Sequence, residues 1–99
     1  MERGGCVYII TNKNNTTLYT GVSSNLQARI WDHLNKVDTN SFSAKYNLNK
    51  LVYYAFYPTI EEAIIEEKRI KAGSRKKKEE LIDANNPEWL DLYPDLLIN

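Results

Sequence analysis

The chain has very little cysteine or histidine: Cys6 and His33 are the sole examples among its 99 residues. A single cysteine excludes an internal disulfide and fits a reducing cytoplasm. One cysteine and one histidine are also too few for the Cys and His clusters of a structural zinc site. Because Cys6 belongs to an apolar, strand-like run, we expect it to pack in the core and not to act as a nucleophile.

Long apolar segments and sequence repeats are absent as well. No run of about 18 apolar residues could form a transmembrane helix, and the first five residues lack the apolar core of a signal peptide. A chain of 99 residues has room for one domain and little for a second core. These absences predict a single soluble, cytoplasmic domain over residues 1–99, with no membrane partner.

An excess of charge of one sign is also missing, because thirteen basic residues balance thirteen acidic ones. The distribution is uneven, however. Seven of the basic residues lie between residues 68 and 78, and six of the acidic ones lie between residues 79 and 95. Such a basic segment can contact phosphates even when the whole chain is neutral. The alternative is a solvated helix end.

Three short runs rich in β-branched and aromatic residues are predicted to be strands, at residues 6–10, 16–21 and 51–56. The stretch Asn-Lys-Asn-Asn at 12–15 favours a turn, so the first two strands should form an antiparallel hairpin. A short turn is expected near residues 43–46. The apolar tail around Trp89 to Tyr93 should dock on the body of the domain.

Helices are predicted over residues 24–36, 59–71 and 74–84. Ser24 with Gln27 resembles a capping box for the first helix, while Thr59 and Ser74 suit the N-caps of the other two. The order of elements is therefore β-β-α-β-α-α. This order predicts an α+β domain in which helices pack on a small antiparallel sheet.

Glu67 falls within the apolar stripe of the helix predicted over 59–71, and not on its charged face. A carboxylate that faces a core costs several kcal/mol unless it is paired or coordinates a cation. Lys71, four residues further on, could pair with it. Alternatively, one carboxylate with waters and a substrate phosphate is a usual way to hold Mg²⁺. The periodicity leaves both alternatives open.

Tyr8 and Tyr19 each lie in the middle of a predicted hairpin strand, so they could be neighbours on one face of the sheet. Two such aromatic residues are often simply packing residues, and that alternative stays open. Gly21, at the end of the second strand, would allow the backbone to leave the sheet or to approach a ligand closely.

Arg29 and His33 are four residues apart on the first helix and border its apolar face. The planar guanidinium of Arg29 suits phosphate oxygens. His33 could move a proton or donate a hydrogen bond to a phosphate, or it could be a half-buried side chain without a role.

Taken in order, these residues resemble the motifs of the GIY-YIG nuclease domain, with Val7-Tyr8, then Tyr19-Thr20-Gly21, then Arg29, then Glu67. The resemblance covers roughly residues 5–92 and is closest to the small stand-alone bacterial members that are described as excision-repair-like. Two departures keep the motif tyrosines and the glycine: Cys-Val-Tyr replaces Gly-Ile-Tyr, and Tyr-Thr-Gly replaces Tyr-Ile-Gly.

This resemblance implies a three-stranded antiparallel sheet flanked by helices, and cleavage of DNA with Mg²⁺ or Mn²⁺. It implies that Tyr8 orients or deprotonates the attacking water and that Tyr19 helps to place the nucleophile or the phosphate. Arg29 would stabilise charge on the phosphate, and Glu67 would be the sole protein ligand of the metal. His33 matches a helix histidine that many members have.

The function predicted on this basis is that of a metal-dependent DNA endonuclease in repair or recombination, acting as a homodimer or with a targeting protein. Residues expected to bind the substrate are Gly21, Lys71, Arg75 and Lys76. One alternative is a nucleic-acid-binding module whose catalysis is weak or lost. A further alternative is a structural domain in which Glu67 and Lys71 form a core ion pair.

Overall fold

The structure, a computed structural model, describes residues 4–36 and 38–97, so the first three residues of the opening segment lie outside it. Its centre is a three-stranded sheet of β1 (Gly5–Thr11), β2 (Leu18–Ser23) and β3 (Lys50–Tyr57). The strand order is β2-β1-β3, and both pairings are antiparallel. All seven residues of β1 are buried, because this strand is central and is covered on both faces. The predicted α+β class and three-stranded sheet are confirmed.

Five helices surround the sheet in the described part of the chain: α1 (Leu26–Leu34), α2 (Phe42–Lys45), α3 (Ile60–Ala72), α4 (Arg75–Asn85) and α5 (Tyr93–Leu96). The predicted N-caps Thr59 and Ser74 are confirmed, since their side chains accept hydrogen bonds from the backbone N–H groups of Glu62 and Lys77. The prediction of Ser24 as the first N-cap is wrong. Asn25 caps α1 instead.

The alternating side chains of β1 serve two separate cores. Cys6, Tyr8 and Ile10 pack with α1 on the first face of the sheet. Val7 and Ile9 pack on the second face against α3 and α4. Because the side chains of β1 contribute to both cores, a helix is required on each face of the sheet.

The C-terminal segment docks on β3, as its apolar residues led us to predict. The backbone N–H of Leu92 donates to the carbonyl of Leu51 at 2.7 Å, and the buried amide of Asn86 donates to the carbonyl of Val52 at 3.1 Å. Helix α5, which the sequence did not predict, follows this contact. Among the described residues, no helix is long and apolar enough to cross a bilayer.

Candidate active site

Tyr8 and Tyr19 lie on the first face of the sheet, and their relation follows from the strand register. Tyr8 is paired with Gly21, and Tyr19 is paired with Ile10, so the two tyrosines are diagonal neighbours. Their ring centroids are 6.5 Å apart. The expectation that they share one face is thus met by the register.

Gly21 lies within β2, which continues to Ser23, so the backbone does not leave the sheet there. The glycine has a different use. A Cβ atom added at this position would overlap with the ring and hydroxyl of Tyr8. Because Gly21 has no side chain, the Tyr8 ring of β1 can lie over the backbone of β2 at this position.

His33 connects Tyr8 to α2. The Tyr8 hydroxyl lies 2.9 Å from His33 Nε2, and His33 Nδ1 lies 2.6 Å from the hydroxyl of Ser43. The Ser43 hydroxyl is in turn 3.1 Å from that of Ser41. Tyr8, His33 and Ser43 are all buried. The result is a buried chain of hydrogen bonds that runs from the sheet, through α1, to the start of α2.

Burial determines the protonation states of Tyr8 and His33, the two titratable members of these hydrogen bonds. It raises the pKa of Tyr8 to about 12, although the nearby Arg29 guanidinium opposes the increase. Burial also lowers the pKa of His33 to about 4, and Arg29 adds to that decrease. Since the two values bracket neutral pH widely, both groups are uncharged at pH 7.

Arg29 lies on the open side of this cluster. Its side chain is 45% exposed, and one guanidinium nitrogen is 3.9 Å from the Asp32 carboxylate. A hydrogen bond with the Tyr8 hydroxyl raises the pKa of Arg29 above its usual value. A small cavity of about 80 Å³ is lined by Arg29, Asp32, His33, Asp38, Ser41 and Ser43. The cation therefore stands between solvent and the buried Tyr8–His33 pair.

Glu67 lies on the buried side of α3, with its side chain 10% exposed, and its carboxylate is 2.8 Å from Lys71 Nζ. This contact raises the pKa of Lys71. The same ammonium lies 5.5 Å from the centroid of the Tyr19 ring. Helix α3 packs on the second face of the sheet and Tyr19 on the first. Lys71 therefore connects Glu67 with Tyr19 around the edge formed by β2.

Among the described residues, no group of three or more His, Cys, Asp or Glu side chains is assembled, so a metal at Glu67 would need waters or substrate for most of its ligands. One carboxylate suits Mg²⁺, which keeps several waters and completes its shell with substrate phosphate. Thr20, on the same face of the sheet as α3, has a buried hydroxyl without a hydrogen-bond partner in the described segments. Glu67 could therefore hold such a metal only if the metal replaced Lys71, the cation that pairs with this carboxylate in the structure.

The other predicted substrate-binding residues differ in their surroundings. The guanidinium of Arg75 donates to the carbonyls of Asn15 and Thr16, each at 2.7 Å, and contacts Glu79 at 2.6 Å. Arg75 therefore ties α4 to the loop between β1 and β2. Lys76 is exposed on the same helix. Neither residue lies in the Tyr8 cluster, so their contact with substrate stays a prediction.

Sequence reasoning missed Ser41 and Ser43. They lie in a polar stretch with no hydrophobic period, and only the fold brings Ser43 to His33, ten residues earlier in the chain. One local signal existed: Ser41 precedes a short helix, and its hydroxyl accepts a hydrogen bond from Ala44 N–H as an N-cap does.

A sequence profile of the GIY-YIG catalytic domain matches residues 4–80, and the chain belongs to this family. This membership suggests nuclease activity.

Within the family, the chain is similar to the UPF0213 proteins. It is 37% identical over 84 residues to one from Clostridium perfringens, with 81% of this chain and 84% of the relative covered. It is 36% identical over 81 residues to one from Staphylococcus haemolyticus, with 78% and 92% covered. The solution NMR structure of a UPF0213 protein from Bacillus halodurans matches with a TM-score of 0.56 and 28% identity, covering 88% of this chain and 90% of that one.

Proposed function

We propose that this protein is a divalent-metal-dependent endonuclease that hydrolyses phosphodiester bonds in DNA. The observation that supports this most directly is the cluster of Tyr8, Tyr19 and His33 beside the half-exposed Arg29. Family membership suggests a nuclease, and this cluster supplies the kinds of groups that phosphodiester hydrolysis requires.

Arg29 would bind the scissile phosphate. Hydrolysis adds negative charge to a group that is already anionic, so a fixed cation at the phosphate lowers the barrier. Tyr8 is 1% exposed, whereas the Arg29 side chain is 45% exposed. Substrate would therefore approach the cluster from the side of Arg29 and of the partly buried Tyr19.

Tyr8 would act as a neutral phenol, because a phenol whose pKa is about 12 has almost no phenolate at pH 7. We infer that its proton points to His33 Nε2, at 2.9 Å, while His33 Nδ1–H donates to Ser43. In that arrangement the Tyr8 oxygen can accept a hydrogen bond from the attacking water. Tyr8 would thereby orient the water, and the proton that the water loses would pass to solvent, because His33, with a pKa of about 4, is too weak a base to keep it.

Glu67 would hold Mg²⁺ or Mn²⁺. The metal, when bound, supplies positive charge for the phosphate oxygens and lowers the pKa of a water. Lys71 now satisfies the Glu67 carboxylate. Once released from this ion pair, its ammonium would be free to bind a neighbouring phosphate of the DNA.

We further propose a cytoplasmic location and a role in DNA repair or recombination. The single, buried Cys6 supports a reducing compartment. We also propose that a target is selected through a DNA structure, a second copy of the chain or a targeting protein.

The test is cleavage of supercoiled, nicked and branched DNA with Mg²⁺ or Mn²⁺ by the wild type and by Glu67→Ala and Arg29→Ala. We expect each substitution to lower the rate at least about 100-fold, as for the loss of a group that stabilises the transition state. Glu66→Ala is the matched control, because Glu66 lies on the same helix in an ion pair with Arg69. Wild-type cleavage by Glu67→Ala would refute the assignment of the metal ligand.

The Glu67–Lys71 ion pair favours a second candidate, a nucleic-acid-binding module with weak or lost catalysis. A carboxylate already paired at 2.8 Å needs no metal to be stable. That candidate would be supported by salt-sensitive DNA binding without any cleavage. Neither binding nor cleavage would instead favour a structural domain.

A further inference from the structure

A row of aromatic rings leads from the buried cluster to the protein surface. Beyond Tyr8 and Tyr19, the Phe42 ring lies 5.9 Å from Tyr19, and the Tyr46 ring lies 4.6 Å from Phe42. Phe42 and Tyr46 are 46% and 44% exposed. The short helix α2 therefore presents two large rings to solvent next to the residues proposed for catalysis.

Cations lie at both ends of the part of this row that runs from Tyr19 to Tyr46. Lys45 Nζ is 5.8 Å from the centroid of the Tyr46 ring, and Lys71 Nζ is 5.5 Å from that of Tyr19. Rings for stacking combined with lysines for phosphates are the two components of surfaces that bind single-stranded nucleic acid. The row formed by Tyr19, Phe42 and Tyr46 is called the aromatic row below.

A duplex hides the faces of its bases in the stack, so the aromatic row could contact only bases that are unpaired. Ring stacking is available to every base and does not require a particular sequence. The position of the row also matters. Because Tyr19 belongs both to the row and to the cluster with Tyr8 and His33, bases on the row would be close to the bond to be cut.

We propose that the aromatic row binds unpaired bases of a DNA strand beside the scissile phosphate, so that the preferred substrate is DNA with a single-stranded segment at the cleavage point. This inference rests on the proposed nuclease function and specifies its substrate. Lys45 and Lys71 would bind the phosphates on either side of the stacked bases.

Binding is tested first, without metal and in the presence of a chelator, so that no cleavage is needed. The probes are a single-stranded oligonucleotide that contains 2-aminopurine and the same oligonucleotide in a full duplex. We expect stacking to quench the fluorescence of the single strand and to leave that of the duplex unchanged. Phe42→Ala and Tyr46→Ala should each weaken binding of the single strand by about tenfold, the effect of losing one stacked base.

Phe56→Ala is the matched control, because Phe56 is also 44% exposed but lies on β3, the opposite edge strand. It should bind as tightly as the wild type. Equal binding by Phe42→Ala, Tyr46→Ala and Phe56→Ala would overturn the proposal, as would equal quenching in the duplex. Circular dichroism of each variant verifies that a lost signal is not due to unfolding.

Cleavage is then compared for a full duplex and for a duplex with a single-stranded arm. Faster cutting at the junction by the wild type, reduced in Phe42→Ala and Tyr46→Ala, supports the proposal. Equal cutting of both substrates by all variants would refute the role of the row while the nuclease function stands. A protein that quenches the probe but cuts neither DNA would support the row and refute the nuclease.

Discussion

At the scale of single residues, Gly21 shows how an absent side chain shapes the site. We expect Gly21→Ala to displace the Tyr8 ring and its hydrogen bond to His33, since the new methyl group would overlap with that ring. Forcing one extra methyl group into such a core typically costs about 1–3 kcal/mol. The free energy of unfolding should fall by that amount in urea denaturation, and DNA cleavage should slow at least about tenfold.

Gly73→Ala is the control for this substitution. There the added Cβ would lie 3.3 Å from the carbonyl of Ile70, with its other neighbours on the flexible Lys77 side chain at 3.7 Å or more. Stability and cleavage should change much less than in Gly21→Ala. A Gly21→Ala protein as stable and as active as Gly73→Ala would contradict the packing argument.

Ser43 orients the His33 ring, because its buried hydroxyl lies 2.6 Å from Nδ1. Ser43→Ala leaves that nitrogen without its partner and should cost about 1–3 kcal/mol of stability. ¹⁵N NMR of the ring should show a mixture of the two tautomers in place of one. The cleavage rate should fall while affinity for DNA is unchanged.

Ser41→Ala separates this effect from damage to α2. Ser41 caps that helix and contacts Ser43, but it makes no hydrogen bond to His33 in the described structure. Its variant should lose some stability and retain a single His33 tautomer. An unaltered ¹⁵N spectrum for Ser43→Ala would rule out the positioning role.

At the scale of secondary-structure elements, Arg75 joins α4 to the loop between β1 and β2 through two carbonyls. We expect Arg75→Ala to lower the free energy of unfolding by about 1–2 kcal/mol, since two charge-assisted hydrogen bonds are lost. Amide exchange along α4 should become faster. The affinity for DNA should then fall because α4 is held less firmly, and not because a contact between Arg75 and DNA is lost.

Lys76→Ala serves as the comparison, because Lys76 is the next residue and is exposed. If Lys76 contacts a phosphate, its loss should reduce the slope of log affinity against log salt by about one and leave stability unchanged. Should Arg75→Ala show that pattern instead, Arg75 would be a substrate contact and not a tie between elements.

The sequence predicted the elements better than it predicted their contacts. Local patterns were sufficient for the three strands, and the stripe on α3 correctly indicated that Glu67 is buried, at 7% exposure. The N-cap of α1 was predicted wrongly as Ser24 because serine and asparagine cap helices about equally well, so the sequence does not distinguish Ser24 from the adjacent Asn25. The fit of Gly21 against Tyr8 depends on the register of two strands, and no local pattern specifies a register.

At the scale of the whole molecule, the two-sided sheet explains how the candidate site is divided. Tyr8, Tyr19 and His33 belong to the first face, whereas Glu67 belongs to a helix on the second. An edge strand separates them, and Lys71 spans that edge. Binding of a metal at Glu67 would therefore alter contacts on both faces, since it would release the lysine that lies over Tyr19.

Global stability should depend on pH through His33, the sole histidine of the chain. Its pKa is 6.5 when unfolded and about 4 when folded, because burial disfavours the charged ring. As the pH falls below about 6.5, the unfolded chain takes up a proton that the folded chain refuses. The folded state therefore loses stability between about pH 6.5 and 4, by up to about 3 kcal/mol, while this contribution is constant above that window.

The measurement is urea denaturation of the wild type and of His33→Gln at several pH values from 7.5 to 4. Carboxylates titrate in both proteins, so the difference between the two curves isolates His33. We expect the advantage of the wild type to shrink as the pH falls through the window. NMR of the ring protons gives an independent check, because the folded signal should stay that of neutral histidine down to about pH 5. A folded His33 that titrates near pH 6.5 would show that the ring is solvated, and would remove the basis for a neutral partner of Tyr8.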